Sequence, residues 1–298
     1  MKTPLQLIKA VYNRLDYYLC PDKIFLNRKF KKVFGRDINW KNPVTFNEKL
    51  QWLKVNDRKP QYSEMVDKFA AKEFIQSRHL NVAVVKSFGV WERFEDIDFD
   101  ALPDQFVLKC THDSNSVIVC RSKEDFDFAA AKRFLENRLR NNFYYNCREW
   151  PYKHVMPRII AEEYMQIMAD GMIDYKFYCF HGKAKCLYVS QGLEDHATAR
   201  ISFLNLDWTP AGFKRSDFAA FETLPPRPSC LEEMIQLAET LSAEHAFLRV
   251  DLYEIDSQVY FSELTFYPCG GFMPFDPPEW DEIVGSWLEL PHERRRAK

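Results

Sequence analysis

No apolar run in this 298-residue chain approaches the length of a membrane span, and no secretory h-region stands in it. The eight cysteines include no C-x-x-C pair and no clustered spacing. That spacing leaves no zinc-ligand pattern and points to reduced, interior thiols in a cytoplasmic protein. Nor is there an RNA-binding aromatic signature or a DNA-binding helix motif, so nucleic acid is not an expected partner. No Ser-His-Asp or Cys-His arrangement marks a covalent nucleophile. Internal repeats and low-complexity segments are missing too. What the chain does have is a globular composition, 46% hydrophobic and 15% aromatic. Its length leads us to expect two or three lobes.

The stretch AFLRVDLYEIDSQVYFSELTFYPCGGF, residues 246–272, organises the rest. It reads as two strands, 247–255 and 259–266, around the polar turn Asp256-Ser257-Gln258. Arg249, Asp251 and Glu263 sit in an apolar frame, where charge is costly unless paired or metal-bound. An odd-numbered turn makes Asp251 and Glu263 face one side, and a three-residue turn satisfies this. Two carboxylates so placed suit a hard cation such as Mg²⁺, which also takes phosphate oxygens and waters. Arg249 would offer the same space a fixed cation. The same three residues also satisfy a purely structural Arg–carboxylate pair, and both readings stand at this point.

Charge is unevenly spread. Residues 1–41 hold ten Lys/Arg against three Asp/Glu, and 292–298 form a basic tail. Such an arm attracts an acidic polymer or an anionic membrane surface, or is simply a solvated helical face. Helical spacing runs over 4–19, ended by Pro21 and Asp22, then over 46–54 and from about 63 to 78. The Val-rich stretch 81–91 reads as strand broken at Gly89, and acidic 92–104 as a connection. Residues 106–110 and 117–120 form a strand pair around the turn 111–116, with Lys109 inside an apolar strand. Ser122 and Asp125 propose a cap for a helix reaching about 140. A strand at 158–165 and a hairpin at 173–190 turning at His181-Gly182 follow. Ser229 and Glu232 suggest a capping box for the next helix.

These segments, taken in order, resemble the ATP-grasp superfamily and, within it, the TupA-like family linked to polysaccharide and teichuronopeptide synthesis. The resemblance is carried by VDKFAAKEF (66–74), FVLKCTHDS (106–114), REWPYK (148–153), IIAEEYM (159–165), DYKFYCFHG (174–182), RVDLY (249–253) and FSELTFYPCGGF (261–272). FNEKLQWLK (46–54) is similar to that family's amino-terminal signature, and the likeness spans roughly 40–290. It implies an α/β ATP-grasp fold with a helical N-terminal region (1–100), an antiparallel lid subdomain (101–165), a C-terminal antiparallel catalytic sheet (166–291) and the basic tail.

The resemblance also implies roles. Lys68 and Lys109 would reach nucleotide phosphates, helped by Ser114 and Ser116 of the lid turn. Glu162, Glu163, Tyr164 and Met165 would form the adenine hinge. Asp174 and Lys176 would hold the ribose and γ-phosphate. Asp251 and Glu263, with Thr265 where the family pattern has Asn, would hold Mg²⁺, and Arg249 would stabilise the transferring phosphoryl group. The implied activity is an ATP- and Mg²⁺-dependent carboxylate–amine ligase, ADP-forming, acting through an acyl phosphate on uronic-acid groups of a bacterial surface polysaccharide. Its partners would be ATP, a carboxylate-bearing saccharide and an amine donor; the cysteine pattern adds a cytoplasmic setting, and the basic amino-terminal segment a peripheral place at the inner face of the membrane. One departure is the lid turn, which has no glycine and places Asp113 near the expected phosphates. A non-catalytic nucleotide-binding scaffold is therefore an alternative. A nucleotide-sugar glycosyltransferase is another, because Asp96-Ile97-Asp98, Asp98-Phe99-Asp100 and Asp125-Phe126-Asp127 each satisfy D-x-D.

Overall fold

In the computed structural model, which describes residues 17–114, 116–165, 172–193 and 197–291, the chain enters through helix α1 (Asp22–Phe34). Most of the helix expected at 4–19, and the basic tail, lie outside the described residues. Pro21 and Asp22 open a helix here, because proline at a helix start gives up only a donor that would go unbonded. Leu26 and Phe30 bury its inner face with Ile38.

Helix α2 (Phe46–Asn56) follows a capping box, in which Thr45 Oγ1 accepts from Glu48 N at 3.2 Å and Glu48 Oε2 accepts from Thr45 N at 3.2 Å. The single helix expected at 63–78 is in fact two, α3 (Gln61–Val66) and α4 (Ala70–Ser77). Asp67 makes the break: its Oδ1 accepts from Phe69 N at 2.8 Å and from Ala70 N at 3.1 Å, offering the backbone an alternative to the helix ladder. The Val-rich stretch divides likewise. Strand β1 (Ala83–Val84) and strand β2 (Ser87–Trp91) join different sheets.

Strands β3 (Phe106–Cys110) and β4 (Val117–Cys120) form the expected antiparallel pair, backed by α5 (Phe128–Leu139). Asp127 caps α5, accepting from Ala130 N at 2.8 Å, in place of the expected Ser122 and Asp125. The short α6 (Tyr144–Cys147) and the 3-10 turn Trp150–His154 lead to β5 (Ile159–Glu163). The order β2-β5-β3-β4 gives a four-stranded antiparallel sheet. Its own core holds Phe106, Leu108, Leu135 and Ile159.

The second half adds β6 (Asp174–Phe180), β7 (Lys183–Gln191), β8 (Arg200–Leu204), β9 (Lys214–Arg215), α7 (Leu231–Ser242), β10 (Phe247–Ile255), β11 (Gln258–Thr265), β12 (Phe275–Asp276) and α8 (Trp280–Ser286). The larger sheet runs β1-β11-β10-β6-β7-β8, antiparallel except where β1 meets β11. His181 and Gly182, at φ 49° and 76°, make the left-handed two-residue turn that suits a right-twisted hairpin. Helix α7 packs Leu231, Met234, Ala238 and Leu241 onto this sheet, each large side chain contributing roughly 1.5–3 kcal/mol. The expected Ser229–Glu232 box does not form. Ser229 Oγ donates instead to Glu254 Oε1 at 2.6 Å, and Glu232 pairs with Arg227. Gly285 lets α8 touch the chain before α2, since a Cβ there would stand 2.3 Å from the Val44 carbonyl oxygen.

Candidate active site between the two sheets

The β10–β11 hairpin departs from expectation in one instructive way. Its turn has two residues, Asp256 and Ser257, both left-handed at φ 50° and 59°. An unbroken ladder from that turn would set Asp251 opposite Ser262 and send Glu263 to the other face. The register slips by one between Leu252↔Phe261 and Asp251↔Glu263, leaving Ser262 as a bulge. The bulge restores the parity that the turn lacks, so the two carboxylates face one side as expected, by a different device.

Arg249 joins them. Its Nε and Nη2 donate to Asp251 Oδ1 and Oδ2 at 2.7 and 2.6 Å, and Nη2 also reaches Glu263 Oε1 at 2.7 Å. Lys176, opposite Asp251 on β6, donates to Asp251 Oδ2 at 2.8 Å and lies 3.5 Å from Asp174 Oδ1. Thr265 Oγ1 donates to Glu263 Oε1 at 3.1 Å. Asp251 is wholly buried. Burial alone would raise its pKa, but Arg249 and Lys176 outweigh that and hold the carboxyl below its ordinary value. The Arg–carboxylate pair is therefore formed, while Glu263, 44% exposed, keeps an open side. Among the described residues no three His, Cys, Asp or Glu side chains gather to hold a metal unaided. Glu263 at the open cleft, with Asp251 behind it once an Arg249 or Lys176 contact is exchanged, fits a cation that brings its own phosphate and water ligands.

Across the cleft, Glu162 of β5 takes Lys72 on one carboxylate oxygen and Lys109 of β3 on the other. Burial pulls this carboxyl up, and the two ammoniums more than reverse the effect. Lys72 also donates to the Val85 carbonyl oxygen at 2.8 Å and to Ser87 Oγ at 3.2 Å. Lys68 sits in the Asp67 break and donates to the carbonyl oxygens of Cys110 (3.0 Å) and Asp113, tying the helix junction to the lid turn.

The glycine-free turn is braced by side chains. Asp113 accepts from Arg138 Nε at 2.6 Å and from Ser116 Oγ, and Ser116 Oγ accepts from Cys110 N at 2.9 Å. The acid that threatened to repel phosphate is thus turned to Arg138 and Ser116. Behind the hairpin, Lys54 donates to Gln51 Oε1 (2.9 Å), the Cys147 carbonyl oxygen (2.8 Å) and the Gly270 carbonyl oxygen (2.5 Å). Burial lowers Lys54 to about 8 and lifts nearby Glu149 to about 7.

One cleft of about 370 Å³ gathers most of the expected residues: Lys68, Lys109, Ser114, Glu162, Glu163, Met165, Asp174, Lys176, Arg249 and Glu263 line it. Lys109 and Lys176, from different sheets, open into it together. Asp251 and Thr265 stand one contact behind, through Arg249 and Glu263. Two expected residues face elsewhere. Ser116 is buried in the turn brace, and Tyr164 lines a separate surface depression beyond β5 with Lys86 and Phe88.

Sequence reasoning passed over Lys72, although it stood on the polar face of the expected helix, four residues after Lys68. The D-x-D acids do local work: Asp96 pairs with Arg93, Asp98 caps its own turn through Asp100 N at 3.1 Å, and Asp127 caps α5. A larger, open depression of about 640 Å³ beside β8 and β9 has mainly apolar walls such as Phe203 and Phe213. The convergent charges lie in the smaller cleft.

Two sheets that hold lysines on one side and an Arg–carboxylate cluster on the other, across a single cleft, make up the ATP-grasp architecture. Residues 48–289 match the family model described as TupA-like ATPgrasp, and the chain belongs to that family. No curated protein matches the sequence. Among solved structures it is similar to the D-alanine–D-alanine ligase of Bacillus anthracis complexed with ATP (16% identity, 68% of this chain, 55% of that chain, TM-score 0.40). The Helicobacter pylori D-alanine–D-alanine ligase (13%, 76%, 63%, TM-score 0.41) and the ATP-grasp ligase PsnB with its minimal precursor (12%, 73%, 58%, TM-score 0.40) are further likenesses. The chain spans between 55% and 63% of the length of these three. Family membership rests on the sequence match and not on these distant likenesses.

Proposed function

We propose that this chain is an ATP- and Mg²⁺-dependent carboxylate–amine ligase, acting on uronic-acid-type groups of bacterial surface polysaccharide. One observation carries the reading: Lys68, Lys72, Lys109, Lys176 and Arg249 converge with Glu263 on one cleft between the sheets. Phosphoryl transfer needs positioning and charge neutralisation more than any covalent group of the enzyme, and this constellation supplies both. Asp251 and Glu263 would hold Mg²⁺, which supplies charge neutralisation at the phosphates when bound. Lys72 and Lys109 exchange the Glu162 carboxylate for phosphate oxygens. Arg249, now bidentate on Asp251, would give up an Asp251 oxygen to the cation and turn its guanidinium toward the transferring group. Attack of the substrate carboxylate on the γ-phosphorus would form an acyl phosphate and release ADP, and an amine would then attack its carbonyl carbon and expel inorganic phosphate to give the amide.

The saccharide class comes from the family resemblance, the cytoplasmic setting from the scattered free cysteines, and the peripheral one from the basic amino-terminal segment. No helix among the described residues is long and apolar enough to cross a membrane. Exposed Lys23, Arg28, Lys31 and Lys32 around exposed Ile24 on α1 suit an anionic polymer or membrane surface.

The test begins with thermal shifts. ATP with Mg²⁺ should raise the melting temperature, EDTA should abolish the rise, and UDP-sugars should give none. Stabilisation by UDP-sugars without a response to MgATP would sink the reading. Glu263→Gln should cut Mg²⁺-dependent ADP release at least ~100-fold while moving apo stability by no more than about 1 kcal/mol, because Glu263 is half-exposed and Arg249 retains Asp251. Wild-type turnover in that variant would remove the metal site.

A further inference from the structure

Arg138 leads from the lid turn to a second cavity. It encloses about 160 Å³, is bordered by Asp113 and Arg138, and shares no lining residue with the nucleotide cleft. Its aromatic lining comes from Tyr18, Phe143 and Tyr145, and its amide lining from Asn141, Asn142 and Asn146. The aromatic wall is held in place: Tyr17 Oη donates to Asn146 Oδ1 at 2.9 Å, and the rings of Tyr17 and Tyr18 lie 5.7 and 4.7 Å from that of Tyr145. Arg138 spends Nε on Asp113 and Nη2 on the Ser114 carbonyl oxygen, and its Nη1 makes no hydrogen bond among the described residues. Asp113 is itself occupied by Arg138 and Ser116, so it presents little free negative charge.

Each part of this lining has a counterpart in a sugar ring. The C–H faces of a pyranose, polarised by neighbouring oxygens, complement the negative faces of aromatic rings. Hydroxyls both donate and accept. Asn142 is spent on the Lys153 carbonyl oxygen and Tyr144 N, Asn141 Nδ2 on the Asn137 carbonyl oxygen and Asn146 Oδ1 on Tyr17, so Asn141 Oδ1 and Asn146 Nδ2 are the amide atoms that would meet them. A ring carboxylate matches the remaining guanidinium N–H groups. Nucleotide-sized ligands need roughly 300 Å³ or more, so this cavity accommodates a single ring.

We propose that the cavity is a subsite for one acidic pyranose unit of a saccharide substrate. The inference rests on the ligase reading for its substrate class, and the lining chemistry points the same way independently. Arg138 gives the subsite a mechanical link to the nucleotide, because its Nη2 holds Ser114 and Ser114 lines the cleft. A filled subsite fixes Arg138 and thereby the turn that faces the phosphates.

Saturation-transfer NMR on the intact protein tests this, with tetragalacturonate as the probe and maltotetraose as its uncharged counterpart. We expect saturation of tetragalacturonate and clearly weaker transfer to maltotetraose. Tyr18→Ala and Asn141→Ala, both at exposed positions outside the nucleotide cleft, should each weaken binding about fivefold and leave the MgATP thermal shift unchanged. No transfer to either saccharide at millimolar concentration overturns the proposal. So does binding that both variants leave intact, and equal binding of the two sugars overturns its acidic specificity. A protein that binds tetragalacturonate yet ignores MgATP loses the ligase reading and keeps the subsite. The reverse pattern separates them the other way.

Discussion

Glu162→Gln isolates the charge that holds the lid-side lysines. The side chain keeps its shape and loses its negative charge, leaving Lys72 and Lys109 together in a buried site with no anion between them. Breaking a buried pair costs about 3–5 kcal/mol, and because Lys109 is partly exposed we discount this to about 2–4 kcal/mol. A chain of this length unfolds with an entropy near ~0.6 kcal/mol per kelvin, so the melting temperature should fall by roughly 3–7 °C.

The triphosphate returns an anion to both lysines. MgATP should therefore raise the variant's melting temperature by several degrees more than the wild type's. The pH dependence has a definite sign. Glu162 is held below its ordinary value of 4.5 in the fold, so its contribution is present above that value and disappears as pH falls through the lowered one. The gap between variant and wild type should close in acid. Scanning calorimetry with and without MgATP at pH 7.5 and in acid is the assay. A variant that melts with the wild type at pH 7.5, or gains no extra stabilisation from MgATP, refutes the charge-exchange argument.

Glu149 makes a prediction of opposite sign. Burial lifts its carboxyl to about 7, so wild-type stability should decline as pH rises from about 4.5 to 7, by at most about 3 kcal/mol, and Glu149→Gln should flatten that slope in urea titrations. Gly285→Ala should cost about 1–3 kcal/mol in chemical unfolding, because the new methyl meets the backbone of Val44 and Phe46 and not a side chain that can swing away. A neutral result there would mean that α8 shifts freely.

The hairpin and its charges were legible because a strand's period of two exposes misplaced polar residues within about eight positions. Lys109 was legible for the same reason, as a lysine in an apolar strand. What escaped depends on partners far along the chain. Asp113 reads as an obstacle to phosphate until Arg138, twenty-five residues later, claims it. The break at Asp67 rests on a side chain bonding its own backbone, which leaves the apolar helical pattern on either side intact. Tyr164 lies just past the end of β5, where strand alternation no longer dictates its face. Lys72 was visible only as one of several charges on a helix surface, since Glu162 lies ninety residues away.

Ser262 is a spare residue within a strand that can spare no other. Its hydroxyl donates to Tyr253 Oη at 2.8 Å, yet in the ladder it is opposite nothing. Removing it should let β11 close up with every present pair intact, Asp251 still facing Glu263 and Phe261 still in the core. Removing Val259 is different. The ladder can again bring Asp251 and Glu263 together by absorbing the bulge, but Phe261 then moves from Leu252 to Tyr253 and swings out of the interior. Deletion of Ser262 should leave a folded protein that still responds to MgATP, whereas deletion of Val259 should fail to fold. Length changes near the tip of this hairpin thus need not reach the carboxylates, because the strand holds slack on the tip side of Glu263.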